Sequence, residues 1–196
     1  MRTPEALDLR SFVAIEIPEA IRRLVSSRVE RIAGTLPPAR WVRPGNYHLT
    51  LRFLGEVEES RLRDLQSALL PVFSRTAPFS LQVGSAGAFP VGKPARVAWL
   101  GVVDDGSLGP LAAEVGRACE PFAERSEKRR FSAHLTLARC RRPWPMKAVD
   151  SWRAAFSEST IGNSFPVTHG VLMSSRLGRR GPGYEVIAAL PIGENR

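Results

Sequence analysis

The tetrapeptide His-Leu-Thr-Leu occurs twice, as His48-Leu49-Thr50-Leu51 and His134-Leu135-Thr136-Leu137, in a chain that has only three histidines. With each residue type used about once in sixteen positions, a chance recurrence is on the order of one in a thousand. Both copies lie in segments that alternate apolar and polar residues, the pattern of a β-strand. Residues two apart on a strand share a face, so His48 points with Thr50 and His134 with Thr136, while the four leucines point the other way into a core. Each copy thus offers an imidazole and a hydroxyl side by side on an apolar backing. Two imidazoles with ordinary pKa values of about 6.5, facing one another across a cleft, can divide the work of acid and base at neutral pH. In-line displacement at phosphorus needs a base behind the attacking water and an acid behind the leaving oxygen, and the threonine hydroxyls would hold the non-bridging oxygens.

The elements that must position these residues can be read from the periodicity. RSFVAIEI reads as a buried strand ended by Pro18, after which Ile21, Val25, Val29 and Ile32 repeat at helical spacing until Gly34. PPAR and RPG mark a connection into the first His strand. A second helix carries Leu62, Leu65, Leu69 and Val72, and FSLQVGSAGAF and ARVAWLGVV follow as strands joined through PVGKP. Ser107 is a candidate cap for a third helix bearing Leu108, Leu111, Val115 and Phe122, which leads to the second His strand. A short helix with Val149, Trp152 and Phe156 then precedes two strands, FPVTHGVLMSS and YEVIAAL, joined by the basic RLGRRGPG.

His48 to Phe79 and His134 to Phe165 are both 31 residues, which points to two related units of roughly 18–103 and 104–190, offset by about 86. Neither has strands enough to bury a sheet alone. The expectation is one α+β domain over 1–196: two intimately packed lobes about a pseudo-twofold axis, each an antiparallel sheet with two helices, with the His strands lining the cleft between them.

A hydrophobic content of 43% with 24% charged residues is that of a globular protein and argues against disordered or fibrous classes. The apolar runs are far shorter than the roughly twenty residues that cross a bilayer, and MRTPEALDLR lacks the apolar core of a signal peptide, so a soluble cytoplasmic protein, taken as a monomer with no membrane partner, is expected. The net charge of +9 is almost all arginine, since Lys93, Lys128 and Lys147 are the only lysines. That field favours polyanions without naming one. Cys119 and Cys140 have no paired spacing and are read as incidental thiols.

The stretches RSFVAIEIP, RWVRPGNYHLTLRFLGEV, GAFPVGKPARVAWLGV, FSAHLTLARCRRP and GYEVIAALPI resemble the RNA 2′,3′-cyclic phosphodiesterases of the two-histidine (2H) phosphoesterase superfamily, also described as 2′-5′ RNA ligase-like proteins. The resemblance covers nearly the whole chain. It implies a bilobal α+β fold and cofactor-free, metal-independent hydrolysis of 2′,3′-cyclic phosphates on RNA ends or nucleotides, leaving a 2′-phosphate. His48 would be the acid on the 3′ oxygen and His134 the base on water, with Thr50 and Thr136 on the phosphate. Phe53 and Arg139, each five residues after a His, would be substrate-binding, the arginine near phosphate. Their odd spacing turns them away from the imidazoles on a regular strand, so a twist or a bulge must intervene. Two departures from the family pattern, Ala133 and Ala95 where proline is common, touch none of this chemistry.

The alternatives within reach of the same residues are another cyclic phosphate or RNA end as substrate, 2′-5′ ligation as the reverse reaction, and an RNA-binding module without turnover. His169 lacks a Thr two residues on and is read as structural or exposed. Zinc on His48, His134 and His169 is set aside because no Asp, Glu or Cys accompanies either motif. Arg129, Arg130, Arg141, Arg142, Arg179 and Arg180 are candidates for lying over an RNA backbone, and Trp41 is read as an anchor between lobes rather than a base platform.

Overall fold

The computed structural model describes residues 8–127, 130–157, 160–178 and 181–193. Nine strands form one antiparallel sheet: β1 (Asp8–Glu16), β2 (Ala39–Trp41), β3 (His48–Glu58), β4 (Phe79–Phe89), β5 (Ala95–Val103), β6 (His134–Trp144), β7 (Thr160–Val167), β8 (His169–Gly178) and β9 (Gly181–Pro191). Among the described residues four α-helices, α1 (Glu19–Ala33), α2 (Leu62–Ser74), α3 (Leu108–Cys119) and α4 (Met146–Ala154), complete an α+β architecture. None of the described helices is long and apolar enough to cross a membrane.

The order across the sheet is β7-β4-β5-β6-β3-β1-β8-β9, with β2 beside β6. It divides at the two His strands. β6, β5, β4 and β7 form one half, covered by α1 and α4; β3, β1, β8 and β9 form the other, covered by α2 and α3. With β2 and β7 left aside, the chain runs β1-α1-β3-α2-β4 and then β5-α3-β6-α4-β8, and each element of the first run lies in the opposite half from its counterpart in the second. The halves interlock because the chain keeps crossing between them.

The main core lies between the helices and one face of the sheet. Val25 of α1, Leu65 and Leu69 of α2, Val115 of α3 and Trp152 of α4 are fully buried against Leu49, Leu135 and Leu137 of the His strands. Burying one such side chain contributes about 1.5–3 kcal/mol, enough in sum to hold an alternating strand with its polar residues outward. α4 and β6 are pinned by tryptophans: Trp144 Nε1 donates to the Pro37 carbonyl at 2.9 Å and Trp152 Nε1 to that of Gly87 at 3.1 Å. Trp41 packs on both, at 6.0 and 6.1 Å between ring centroids, and so anchors β2 to that core.

Three local expectations change. FPVTHGVLMSS divides at Thr168 into β7, which pairs with β4, and β8, which pairs with β1 on the far half of the sheet. Its unbroken alternation carries no sign of that division, which depends on where each segment finds a partner. The connection before the first His strand contains β2, too short to show a period. Ser107 stands at the N-cap position of α3 but its side chain makes no capping hydrogen bond; Asp104 Oδ2 instead accepts the N–H groups of Gly106 at 3.0 Å and Leu108 at 2.8 Å, and the helix ends at Cys119, so Phe122 lies in a separate 3-10 turn.

Candidate active site

β3 and β6 pair antiparallel with Leu49 opposite Leu135, both without solvent exposure. Counting outward along strands that run in opposite senses sets His48 across from Thr136 and Thr50 across from His134. Cross-strand neighbours of this kind have Cβ atoms about 4.5–5.5 Å apart. Two rungs on the face away from the helices therefore carry His/Thr and Thr/His, related by a local twofold through the leucine pair. The two imidazoles stand diagonally across a shared space.

Each ring is oriented identically. His48 Nδ1 lies 2.8 Å from the Asn46 carbonyl oxygen and His134 Nδ1 2.7 Å from that of Ser132, in both cases two residues upstream. A carbonyl can only accept, so Nδ1 carries the hydrogen in both rings and Nε2 is left for chemistry. For His48 the 3-10 turn Pro44–Asn46 presents that carbonyl. Burial pushes the His48 pKa below its ordinary value; the Asn46 contact opposes this, the charges of Arg139 and His134 lower it further, and Glu16, opposite on β1, raises it.

Phe53 and Arg139 reach the same face through two matched bulges. On β3 the partners of β1 pass from Ala14↔Thr50 to Val13↔Arg52, leaving Leu51 unpaired. On β6 the partners of β5 pass from Trp99↔Thr136 to Ala98↔Ala138, leaving Leu137 unpaired. One extra residue reverses the alternation. Phe53 is then 52% exposed beside Phe12 (5.8 Å between centroids), and Arg139 is exposed opposite Val97.

Four aromatic side chains that the motifs do not point to enclose the imidazoles. Phe12 lies 4.9 Å from the His48 ring, and Tyr184 meets it edge-on at 5.1 Å. Phe12, Ala14, Val171, Met173 and Tyr184 form a small apolar cluster of their own beneath His48, apart from the main core. Phe89 stands edge-on to His134 at 5.1 Å, and Trp99 lies 6.1 Å away, tilted. Gly87 makes room for it: a Cβ there would come within 2.1 Å of the indole. The strand alternation of SFVAIEI and RVAWLGV contained this information, but which face of β1 or β5 meets the histidines depends on pairing.

The remaining candidates lie elsewhere. His169 is half-exposed, with Nδ1 3.0 Å from the Thr168 hydroxyl and Nε2 3.7 Å from Glu16. Arg130, Arg141 and Arg142 are exposed, whereas Arg129, Arg179 and Arg180 lie outside the described residues. Burial raises the pKa of both thiols, Cys119 to about 12, so neither is poised as a nucleophile. A buried cation not singled out by its motif is Arg52, which meets Glu120 at 2.9 Å and the Arg125 carbonyl at 3.3 Å, tying β3 to the segment that precedes β6.

Residues 15–99 match the family model described as LigT-like phosphoesterase. An RNA 2′,3′-cyclic phosphodiesterase of Archaeoglobus fulgidus is 34% identical over 177 residues, 90% of this chain and 97% of that protein. One of Geobacillus stearothermophilus is 30% identical over 181 residues, 92% of this chain; the chain spans 56% of that protein's length. The crystal structure of a Thermus thermophilus protein, TT0787, superposes with a TM-score of 0.77 at 27% identity, covering 96% of this chain and 100% of that one. E. coli LigT complexed with 3′-AMP does so at 0.72 and 26%, again covering 96% and 100%. With identity of this level running the length of a relative, and with two His-x-Thr strands meeting on one face of the sheet, the chain belongs to the LigT-like, two-histidine phosphoesterases.

Proposed function

We propose that this phosphoesterase hydrolyses the 2′,3′-cyclic phosphate of RNA ends or nucleotides to a 2′-phosphomonoester, without a metal ion. The observation that supports the reading is the antiparallel register of the two motifs, which sets the imidazoles on diagonal rungs, each with Nδ1 committed to a carbonyl and a threonine across from it. His134 Nε2 takes a proton from water as its oxygen attacks phosphorus. The P–O3′ bond breaks, and O3′ takes the proton held on His48 Nε2, leaving a free 3′-hydroxyl and the 2′-phosphate. Thr50 and Thr136 donate their hydroxyls to the non-bridging oxygens, Arg139 offsets their charge, and Phe53 offers a face to a base.

With the 5′-hydroxyl of a second RNA end in place of water, the same residues give 2′-5′ ligation: His134 takes the proton of that hydroxyl as its oxygen bonds to phosphorus, the P–O3′ bond breaks, and O3′ takes the proton from His48. The reading takes the chain as one domain of two packed units, 18–103 and 104–190, acting as a monomer in the cytoplasm. The reading assigns acid and base to the imidazoles without a Lewis acid, because each ring has a hydroxyl, a poor zinc ligand, as its cross-strand neighbour.

The test is hydrolysis of adenosine 2′,3′-cyclic phosphate in excess chelator, followed by phosphorus NMR. The wild type turns over to the 2′-monophosphate, and His48→Ala and His134→Ala each lose about 10²–10⁴ in kcat. Loss of turnover on chelation would overturn metal independence, and tight binding without turnover at any pH would make the site a phosphate-binding module.

A further inference from the structure

Beyond the two His/Thr rungs, the seam along β6 carries a third. β2 lies against the same edge of β6 as β3 does, and its register sets Arg40 directly opposite Arg139. Paired residues share a face, so both guanidinium groups rise on the side of His134 and Thr136. Trp41, next to Arg40, packs on Trp144 and Trp152 in the core, as the alternation requires.

Like charges directly opposite one another on a sheet destabilise it, and the remedy within a protein is a carboxylate. Arg23, Arg52, Arg117, Arg153 and Arg176 each have one. Among the described residues Arg40 and Arg139 have none, although both are exposed. Two unpaired forks side by side fit the geometry of one phosphate, which offers oxygens enough to accept from both.

The position of this rung says which phosphate. Thr136 to Arg139 is two pairing steps with one bulged residue, roughly 7 Å along the strand. The third rung adjoins the His48/Thr136 rung, not the Thr50/His134 rung. If His48 protonates the departing 3′ oxygen, the ribose lies toward His48, and the group it carries at its 5′ carbon lies beyond. Arg139 stands between the two anions, with five donors to divide, and its charge is already felt at His48.

We propose that Arg40, together with Arg139, forms a second phosphate subsite for the 5′-phosphate of the nucleotide bearing the cyclic phosphate. The favoured substrate is then a 5′-phosphorylated or chain-linked RNA end, and a bare nucleoside cyclic phosphate is a poor one. This rests on the cyclic phosphodiesterase reading for the substrate, though not for the anion site itself.

The experiment compares adenosine 2′,3′-cyclic phosphate with and without a 5′-phosphate, in the wild type, Arg40→Gln and Arg40→Lys. Alongside it, calorimetry compares adenosine 2′,5′-bisphosphate with adenosine 2′-monophosphate in the same proteins. The wild type favours the 5′-phosphorylated ligand about tenfold or more in kcat/KM and in Kd, as expected for one charge-assisted contact. Arg40→Gln brings both ratios near one, Arg40→Lys restores part, and added salt erodes the preference. A preference that persists in Arg40→Gln, or none in the wild type, overturns the subsite. The binding ratio without any hydrolysis would leave the subsite standing and overturn the cyclic phosphodiesterase reading instead.

Discussion

His48 and His134 share a motif, a tautomer and a hydroxyl neighbour, yet their surroundings differ. Phe12 and Tyr184 wall the first and Phe89 and Trp99 the second. For His48, burial, then Arg139 and His134, disfavour the charged ring. If His48 is the acid, as proposed, its depressed pKa makes it a stronger acid that holds its proton only at lower pH. In the free enzyme, the kcat/KM limb that reports His48 therefore falls as pH rises, centred below the ordinary value of about 6.5. Arg139→Gln removes a positive neighbour and so moves the His48 titration upward. Proton NMR of the His48 ring follows it directly, and an unmoved titration would show that the guanidinium does not reach the cleft.

Strand pairing controls how firmly these rings hold their places. Trp99 lies over Gly87 of the adjacent strand and beside His134. Gly87→Ala puts a methyl where the indole sits, at a cost of about 1–3 kcal/mol by overpacking. Urea denaturation reads that loss, and because the indole must shift against His134, kcat falls more than KM changes. Arg52→Ala acts on the opposite face. It leaves the half-exposed Glu120 without its partner and unties β3 from the segment before β6, with an expected loss of about 1.5–3 kcal/mol for hydrogen bonds to a charged group. Thermal denaturation of that variant, with the cyclic-phosphate assay beside it, separates a stability role from a catalytic one.

At the scale of the whole molecule, the cleft exists because two sheet halves join at Leu49 and Leu135 and are otherwise held by a shared core and by chain crossings. Leu135→Ala opens a cavity in a fully buried joint and costs about 2–5 kcal/mol. Since the same pair sets the distance between the imidazoles, activity at temperatures where the variant remains folded drops as well. Wild-type activity in a folded Leu135→Ala protein would mean that the halves are positioned without the leucine joint.

The sequence by itself determined which side chains the proposed chemistry would use. Two His-x-Thr motifs with an apolar residue between and after them declare which side chains face outward, because period-two alternation is local and is enforced by burial of Leu49, Leu51, Leu135 and Leu137. Their recurrence determined that the site has two equivalent contributors. Only the tertiary structure decided that β3 and β6 are antiparallel neighbours, that bulges at Leu51 and Leu137 return Phe53 and Arg139 to the working face, and that Arg40 joins them from a three-residue strand. It also sent β7 and β8 to opposite halves of the sheet despite one continuous pattern between them. Pairing is a choice among edges distant in the chain, made by whichever partner buries most, and no stretch of residues carries that choice within itself.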